Sequence, residues 1–353
     1  MQFWSPEVRE LEPYVPGEQP KIQNLLKLNT NENPYPPSPN VVAAVQAVLA
    51  NQADALRLYP DPDASVLKQA IAKQQQVDVS QVFVGNGSDE VLAHIFKAFF
   101  IQAEPILYPD ISYSFYPVYS QFFGIQTQQM PLNDDFEINV ADYQQPNGGI
   151  IIANPNAPTS IALGVAQIEQ ILQVNPNRVV VIDEAYVDFG GESVVPLTKK
   201  YDNLLVVQTF SKSRSLAGGR LGYAIGSEGL IADLNKIRNS TNPYNVDSLT
   251  KAVGLACLEE QDYYDNNCKK IVATREYTAQ ELQKLGFEMP ESRTNFLFAR
   301  HPKLAGKQLY LDLKARGILV RHFDMPRILD YNRITIGTPE QMETLLKTLR
   351  EMI

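Results

Sequence analysis

The segment "NLLVVQTFSKSRSLAGGRLGYAIG", residues 203–226, places an apolar run directly before a lysine. The run is rich in β-branched residues, which predicts a buried strand that ends at Ser211 and Lys212. Arg220 follows eight residues after Lys212, between two glycines and a second apolar run. Either cation alone is more often a solvated surface charge than part of a binding site. Their meaning therefore depends on what the rest of the chain places beside them.

Apolar runs of the same kind occur throughout the middle of the chain. They are QVFVGNG (81–87), EPILYPD (104–110), GIIIANP (149–155) and RVVVIDEAY (178–186). Segments with helical spacing, such as AQIEQILQV (166–174), separate several of them. Because this alternation favours parallel pairing, we predict an α/β fold with a mainly parallel seven-stranded sheet sandwiched by helices.

After about residue 245 the pattern changes to long polar helices and shorter strands. These strands are predicted at NFLFAR (295–300), ILVRHF (318–323) and RITIG (333–337). We therefore predict an N-terminal arm (1–30) associated with the small domain, a large α/β domain (31–245) and a small α+β domain (246–353). Within the large domain, Asn40 is predicted to cap the helix that begins beside it.

Composition and charge exclude several classes of function. The content of 44% hydrophobic and 20% charged residues is typical of a folded globular chain. A net charge of −9 disfavours nucleic acid as a partner. The three histidines and two cysteines lack metal-ligand spacing, so no metal site is predicted. Charged residues near the N-terminus and the shortness of the apolar runs predict neither a signal peptide nor a membrane span, and hence a cytoplasmic protein.

Polar side chains follow three of the predicted central strands. Asn154 and Asn156 follow GIIIA, Asp183 and Tyr186 follow VVVI, and Lys212 follows LLVVQTF. Because ligands bind at the carboxyl ends of parallel strands, we expect an amide, a carboxylate, a phenol and an amine along one sheet edge. Each group alone has an ordinary explanation as a cap, turn or surface residue. Their conjunction is what indicates a site.

A further strand runs into glycines and a helix at VGNGSDEVL (84–92). The third glycine of the dinucleotide-binding pattern is missing, so that interpretation is weak. The remaining feature is a helix N-terminus at Gly87, Ser88 and Asp89, whose free N–H groups favour an anion. Ser88 and Asp89 also suit helix capping. An amine, a carboxylate and an anion cup together match the needs of pyridoxal 5′-phosphate, whose aldehyde forms a Schiff base with a lysine.

Eight further motifs accompany D-E-A-Y (183–186) and S-K-S-R-S-L-A-G-G-R-L-G-Y (211–223) in a fixed order. They are LEPYVPGEQP (11–20), KLNTNENPYPPSP (27–39), LYPDPDASVLKQAIA (58–72), GNGSDEVL (85–92), NPNAPTS (154–160), SRTNFLFAR (292–300), GILVRHF (317–323) and RITIGTPEQ (333–341). With these motifs the sequence resembles the fold type I pyridoxal-phosphate aminotransferases, and among them the histidinol-phosphate aminotransferases. The resemblance covers nearly the whole chain.

The resemblance implies a role for each matching residue. Lys212 carries the Schiff base and moves the proton between the substrate Cα and C4′, and Asp183 pairs with the ring nitrogen. The other cofactor contacts are implied for Asn156 and Tyr186 (phenolic oxygen), Tyr113 (ring face), and Gly87, Ser88, Asp89, Ser211 and Arg220 (phosphate). Tyr59 is implied to reach the phosphate of a neighbouring subunit, which predicts a homodimer with shared active sites.

Substrate contacts are implied for Arg333, Arg321, Tyr14, Asn31 and Asn156. The resemblance implies amino transfer between L-histidinol phosphate and 2-oxoglutarate or glutamate, and guanidinium forks suit such oxyanions. For Arg321, a surface ion pair explains the residue nearly as well as a substrate contact does. Two departures from the family pattern, Ala157 and Ser160, lie in NPNAPTS, and Ser160 is predicted to occupy a turn with positive φ.

Alternatives on the same scaffold are an aromatic or broad-range aminotransferase and a phosphoamino-acid decarboxylase. Lys212 and Asp183 do not separate them, because the cofactor performs the shared chemistry. A non-enzymatic scaffold protein is a further alternative. The presence of the complete set of cofactor residues disfavours it.

Overall fold

The structure, a computed structural model, describes residues 3, 6–20, 24–52 and 56–353. Its strands are β1 (Leu26–Lys27), β2 (Val82–Asn86), β3 (Ile106–Pro109), β4 (Thr127–Met130), β5 (Ile150–Ala153), β6 (Val180–Asp183), β7 (Leu204–Thr209), β8 (Leu221–Gly226), β9 (Phe296–Arg300), β10 (Ile318–Leu319), β11 (Arg321–His322) and β12 (Tyr331–Thr335). Its α-helices are α1 (Pro6–Arg9), α2 (Pro39–Gln52), α3 (Ser65–Gln75), α4 (Gly87–Phe99), α5 (Phe115–Phe123), α6 (Val165–Val174), α7 (Glu228–Thr241), α8 (Ser248–Glu259), α9 (Gln261–Lys284), α10 (Gly306–Ala315) and α11 (Pro339–Met352).

The large sheet has seven strands in the order β2-β8-β7-β6-β5-β3-β4. Strand β8 is antiparallel to both of its neighbours, and the strands from β7 to β4 pair in parallel. The predicted mainly parallel seven-stranded sheet is therefore confirmed. Strand β4, with the sequence TQQM, was not predicted from an apolar run, because its first three residues are exposed at the sheet edge.

Helices cover both faces of this sheet because successive strand residues point to opposite sides. Val206 packs into a core with residues of α3, α6 and α8, whereas Val207 packs into a second core with residues of α4, α5 and α7. The strand residues that face these cores are almost completely buried. Helices therefore lie on both faces of the sheet, as the alternation of strands and helices in the sequence predicts.

The C-terminal part has a three-stranded antiparallel sheet in the order β11-β12-β9, and a separate core with α9, α10 and α11. Strand β1 pairs in parallel with β10, so that Leu26 lies opposite Ile318. Residues before β1 contact both parts, since the Glu12 N–H donates to Gln121 Oε1 at 3.0 Å and the Glu18 carboxylate accepts hydrogen bonds from Tyr310 and Lys314 of α10. The domain boundaries at residues 30 and 245 stay a prediction.

Two local expectations have different outcomes. Helix α2 begins at Pro39, so Asn40 lies inside the helix and its amide contacts Glu260 instead of capping. Proline is preorganised for the first helical position, which explains the earlier start. Ser160 has a φ of 69°, which confirms the predicted left-handed turn.

Candidate active site

The carboxyl ends of β6 and β7 and the N-terminus of α4 enclose a cavity of about 140 Å³. Its lining residues are Ser88, Asp89, Tyr113, Ala153, Ala157, Asp183, Ala185, Tyr186, Thr209, Ser211, Lys212, Ala217 and Arg220. Parallel pairing places Asp183 opposite Val207, which brings the polar residues that follow both strands to the same edge. Eight of the predicted cofactor residues therefore lie together: Ser88, Asp89, Tyr113, Asp183, Tyr186, Ser211, Lys212 and Arg220.

Lys212 presents its amine inside this cavity with few competing contacts. Its Nζ donates to the Thr30 carbonyl at 3.3 Å and lies 5.7 Å from the centre of the Tyr186 ring. Among the described residues, no carboxylate lies within ion-pair distance of it. The backbone carbonyl of Lys212 accepts a hydrogen bond from the Asn33 amide at 3.1 Å, which helps to fix the segment after β7. The amine is therefore held by a hydrogen bond, and no described carboxylate forms an ion pair with it.

Asp183 is buried and its carboxylate is held by two donors. The Tyr116 hydroxyl donates to Oδ2 at 3.0 Å, and the Ala185 N–H donates to Oδ1 at 3.2 Å. Burial raises the pKa of Asp183 to about 6, although both hydrogen bonds and the charge of Lys212 lower it. A positive charge inside the cavity would therefore strongly favour the ionised carboxylate.

The N-terminus of α4 is packed closely against β8 and Arg220. A Cβ on Gly222 would collide with the Ser88 nitrogen, and a Cβ on Gly87, whose φ is +76°, would lie 2.5 Å from Arg220 Nη2. Arg220 also pairs with Asp89 at 3.0 Å. The first-turn N–H groups of an α-helix lack intrahelical acceptors, so this arrangement is a cup for an anion.

Tyr113 and Ser211 complete the wall of this cup. The Tyr113 hydroxyl donates to Asp89 Oδ1 at 3.0 Å, and burial raises the pKa of that phenol. Ser211 is buried, and its Oγ accepts a hydrogen bond from the Thr209 hydroxyl at 3.0 Å. Asp89 thus links the phenol on one side to the guanidinium on the other.

Asn31 connects the cavity to the C-terminal sheet. Its amide donates to the Tyr186 hydroxyl at 2.9 Å, and its Oδ1 accepts from the Thr335 hydroxyl at 3.0 Å. Asn31 has a φ of 58°, a conformation that asparagine tolerates better than most residues. The side chain is therefore placed between Tyr186 and β12.

Arg333 and Arg321 lie opposite each other on β12 and β11. Arg333 lies 5.3 Å from the Phe296 ring centre and donates to the Asn29 carbonyl at 3.0 Å, while its Nε has no partner among the described residues. Burial lowers the pKa of its guanidinium. Arg321 lies 5.8 Å from the Phe323 ring and forms no ion pair with the described residues, so the surface ion pair considered from sequence is not formed there.

Besides Gly87, Asn31, Arg321 and Arg333, three further predicted site residues lie outside the cavity lining. Tyr14 stacks on Phe115, with ring centres 4.6 Å apart. Tyr14 also lies near enough to Arg333 to raise the pKa of its guanidinium. Asn156 is buried, and its amide donates to the Ile111 carbonyl and the Thr159 hydroxyl, each at 2.9 Å. Tyr59 is 80% exposed and stacks on the Tyr244 ring at 4.4 Å. Their roles stay predictions.

Sequence reasoning missed Tyr116 and Thr30. Tyr116 carries no distinguishing motif, although it lies three residues after Tyr113 and its ring centre is 5.6 Å from that of Tyr113. Thr30 acts through its backbone carbonyl, for which a sequence holds no signal. Both contacts depend on chain segments far from Asp183 and Lys212.

Comparison with known proteins identifies the family. Residues 23–349 match the model of the family "Aminotransferase class I and II". The chain belongs to the class I and II aminotransferases. This membership confirms that the protein is an enzyme, that it transfers amino groups and that its cofactor is pyridoxal 5′-phosphate.

Two relatives and one solved structure illustrate the similarity. The chain is 67% identical to "Histidinol-phosphate aminotransferase" of Acinetobacter baylyi over all of this chain and 98% of the relative. It is 55% identical to "Histidinol-phosphate aminotransferase 2" of Dechloromonas aromatica over 99% of both chains. The crystal structure of histidinol-phosphate aminotransferase from Sinorhizobium meliloti in complex with pyridoxal-5′-phosphate has a TM-score of 0.89 at 23% identity, covering 100% and 99% of the two chains. That likeness supports the fold.

The cavity fits the cofactor of this family. The missing Cβ at Gly222 lets β8 pack against the first turn of α4, and the missing Cβ at Gly87 leaves room for the Arg220 guanidinium beside that turn, where a phosphate would meet both the N–H groups and a cation. Asp183 and Lys212 provide the acid and the amine. Within the described residues, no helix is both long and apolar enough to cross a membrane, and no cluster of metal-ligating side chains occurs.

Proposed function

We propose that this aminotransferase catalyses reversible amino transfer between L-histidinol phosphate and 2-oxoglutarate within histidine biosynthesis, where imidazole acetol phosphate and L-glutamate are the reactants of the biosynthetic direction. The observation that carries this proposal is the identity of 65–67% over the full chain to histidinol-phosphate aminotransferases of Acinetobacter. The buried guanidinium of Arg333 agrees with it, because both substrates carry an oxyanion that needs a fixed cationic partner.

When bound, pyridoxal 5′-phosphate supplies an electron sink that stabilises negative charge at the substrate Cα. Lys212 would hold the cofactor through Nζ and then accept and return the Cα proton at that atom. Asp183, ionised by the approach of a ring N–H, would keep the ring nitrogen protonated. Tyr116 would stabilise that ionised form through its hydrogen bond to Oδ2.

The phosphate would be held by the N–H groups of Gly87, Ser88 and Asp89, together with Ser211 and Arg220. Tyr113 would cover one face of the ring from its position beside Asp89. On the phenolic side, Tyr186 would donate a hydrogen bond, and Asn156 would donate a second one by giving up its bond to the Thr159 hydroxyl. All of these residues except Gly87 and Asn156 line the cavity, which supports the proposal.

The substrate oxyanion would lie between Arg333 and Arg321, which are opposite each other in the antiparallel pair. Tyr14 would contact the phosphate of histidinol phosphate, and Asn31 would line the same space. Arg333 Nε has no partner within the described part of the chain, which leaves one donor for a substrate atom. The neutral rings of Phe296 and Phe323 beside the guanidinium exclude water from it.

We include in this proposal a homodimer with shared active sites and a cytoplasmic location. Leu58 and Tyr59 are exposed, as are the apolar residues Val42 and Leu49 on α2 and Val66 on α3, which suits a subunit interface. Mixing Lys212→Ala with Tyr59→Ala subunits tests the sharing. In an equimolar mixture that exchanges subunits, about half of the dimers are hybrids with one intact site of two, so about a quarter of wild-type activity should return. Activity equal to the mean of the two variants contradicts sharing. Both cysteines are unpaired and buried, as is usual in a reducing compartment.

Single-turnover spectroscopy of the bound cofactor tests the substrate. Histidinol phosphate, phenylalanine and aspartate are each mixed with the holoenzyme, and the loss of the visible absorbance band is followed. The proposal expects histidinol phosphate to react fastest, since it alone brings a phosphate monoester to the arginine pair. A much faster reaction with phenylalanine would instead establish an aromatic or broad-range aminotransferase. Release of carbon dioxide from a phosphoamino acid would establish the decarboxylase.

A further inference from the structure

A second cleft of about 360 Å³ lies beside the segment that carries Lys212. It shares no lining residue with the cofactor cavity. Its lining residues are Gln74, Gln75, Val187, Asp188, Gly190, Gly191, Ser193, Gln208, Arg214, Tyr223 and Gln261. They come from the end of α3, the chain after β6, strand β7 and the loop that follows it, strand β8, and the start of α9. The proposed transamination uses none of them.

Arg214 is the unusual group in this cleft. The residue is only 7% exposed, and its guanidinium lies between the rings of Phe210 and Tyr264, at 5.5 and 5.7 Å. Its Nη2 donates to Gln261 Oε1 at 2.8 Å, but its Nη1 has no hydrogen-bond partner among the described residues. No carboxylate of the described chain lies within ion-pair distance of it. A buried cation without a counter-ion is costly, so an anion entering the cleft would offset that cost.

The cleft also contains a group of opposite charge. Asp188 is exposed on its wall. The charge of Arg214 lowers the pKa of Tyr223, whereas the charge of Asp188 raises it, so both charges act on the same phenol in the cleft. A ligand there therefore meets a cation and an anion at once.

Neutral amides, with the hydroxyls of Ser193 and Tyr223, supply the rest of the polar lining. Four glutamine side chains contribute, at positions 74, 75, 208 and 261, and Gln74 Oε1 has no hydrogen-bond partner within the described residues. Amides both donate and accept, so they suit a ligand with both kinds of groups. A simple inorganic anion would use Arg214 but would leave Asp188 unfavourably close to its charge.

We propose that this cleft binds a free α-amino acid, with its carboxylate on Arg214 and its ammonium group directed to Asp188. Arg214 is two residues beyond Lys212. The bound amino acid would thus contact the segment after β7 from outside the active site. The inference concerns a site separate from the one that performs amino transfer, and it holds whichever substrate the active site uses.

Calorimetric titration of borohydride-reduced holoenzyme with L-alanine and with propionate tests this site. Reduction fixes the cofactor to Lys212, so the amino acid cannot react. Alanine should bind saturably, and propionate, which lacks the ammonium group, at least about fivefold more weakly. Arg214→Met should weaken alanine binding at least about tenfold, whereas Arg333→Ala, which alters only the active site, should leave it within about twofold.

Asp188→Asn is the second variant, and its exposed position makes misfolding no concern. It should abolish the preference for alanine over propionate while propionate binding stays unchanged. This variant decides the question even if Arg214→Met does not fold, which its thermal melting curve would reveal. The proposal is overturned if wild-type protein binds no alanine, if alanine and propionate bind equally, or if folded Arg214→Met binds alanine as the wild type does.

Discussion

Asp183→Asn should alter how the stability of the cofactor-free protein depends on pH. The pKa of Asp183 is about 6 in the folded protein and 3.8 for the ordinary carboxyl, a difference of about 2.2 units. At about 1.36 kcal/mol per unit this corresponds to about 3 kcal/mol of unfolding free energy. Because the folded-state pKa is raised, that stability is fully present below pH 3.8 and is lost as pH rises through 6. Roughly half of the loss falls between pH 5 and 8.

Urea unfolding at pH 5, 6, 7 and 8, followed by far-UV circular dichroism, measures this effect. The difference in unfolding free energy between wild type and Asp183→Asn should change by about 1.5 kcal/mol over that range, in favour of the variant at high pH. Glu184→Gln is the matched control. Burial raises the pKa of the Glu184 carboxyl, next to Asp183 in sequence, to about 7, so the stability that depends on this carboxyl should be lost at higher pH. Parallel curves for wild type and Asp183→Asn would refute the reasoning, because the carboxyl would then titrate alike in both states.

Three further predictions concern cofactor and substrate contacts. Tyr116→Phe removes the hydroxyl that donates to a buried carboxylate, so kcat should fall about tenfold or more; steady-state rates within twofold of wild type would contradict this. Gly87→Ala places a Cβ 2.5 Å from a guanidinium at positive φ and should weaken cofactor binding at least about tenfold in equilibrium dialysis. Gly218→Ala, whose Cβ would meet nothing within 4 Å, is the control and should bind normally. Arg333→Ala should raise KM for both substrates about a hundredfold, and Arg321→Ala should raise one KM more than the other; unchanged kinetics would remove Arg333 from the site.

Much of the fold and the site could be predicted from sequence because the signals are local. Apolar runs of four to six residues mark β5, β6, β7 and β8, and each strand end is followed by its own polar residues. Parallel pairing then brings Asp183 and Lys212 to one edge without any knowledge of distant contacts. Strand β4 was not predicted because its residues are mostly polar and exposed at the sheet edge, so the sequence holds no apolar run there.

Local patterning predicts which side chains follow the strands, and hence the amine, the carboxylate and the anion cup of the site. Their partners depend on how the chain packs: Tyr116 on Asp183, the Thr30 carbonyl on Lys212, and Asn31 between Tyr186 and β12. The same packing decides that Arg214, an ordinary cation in the sequence, is buried between two rings. The physical reason is that hydrophobic periodicity acts over a few neighbouring residues, whereas these contacts join segments up to 304 positions apart and arise only when the separate cores pack together.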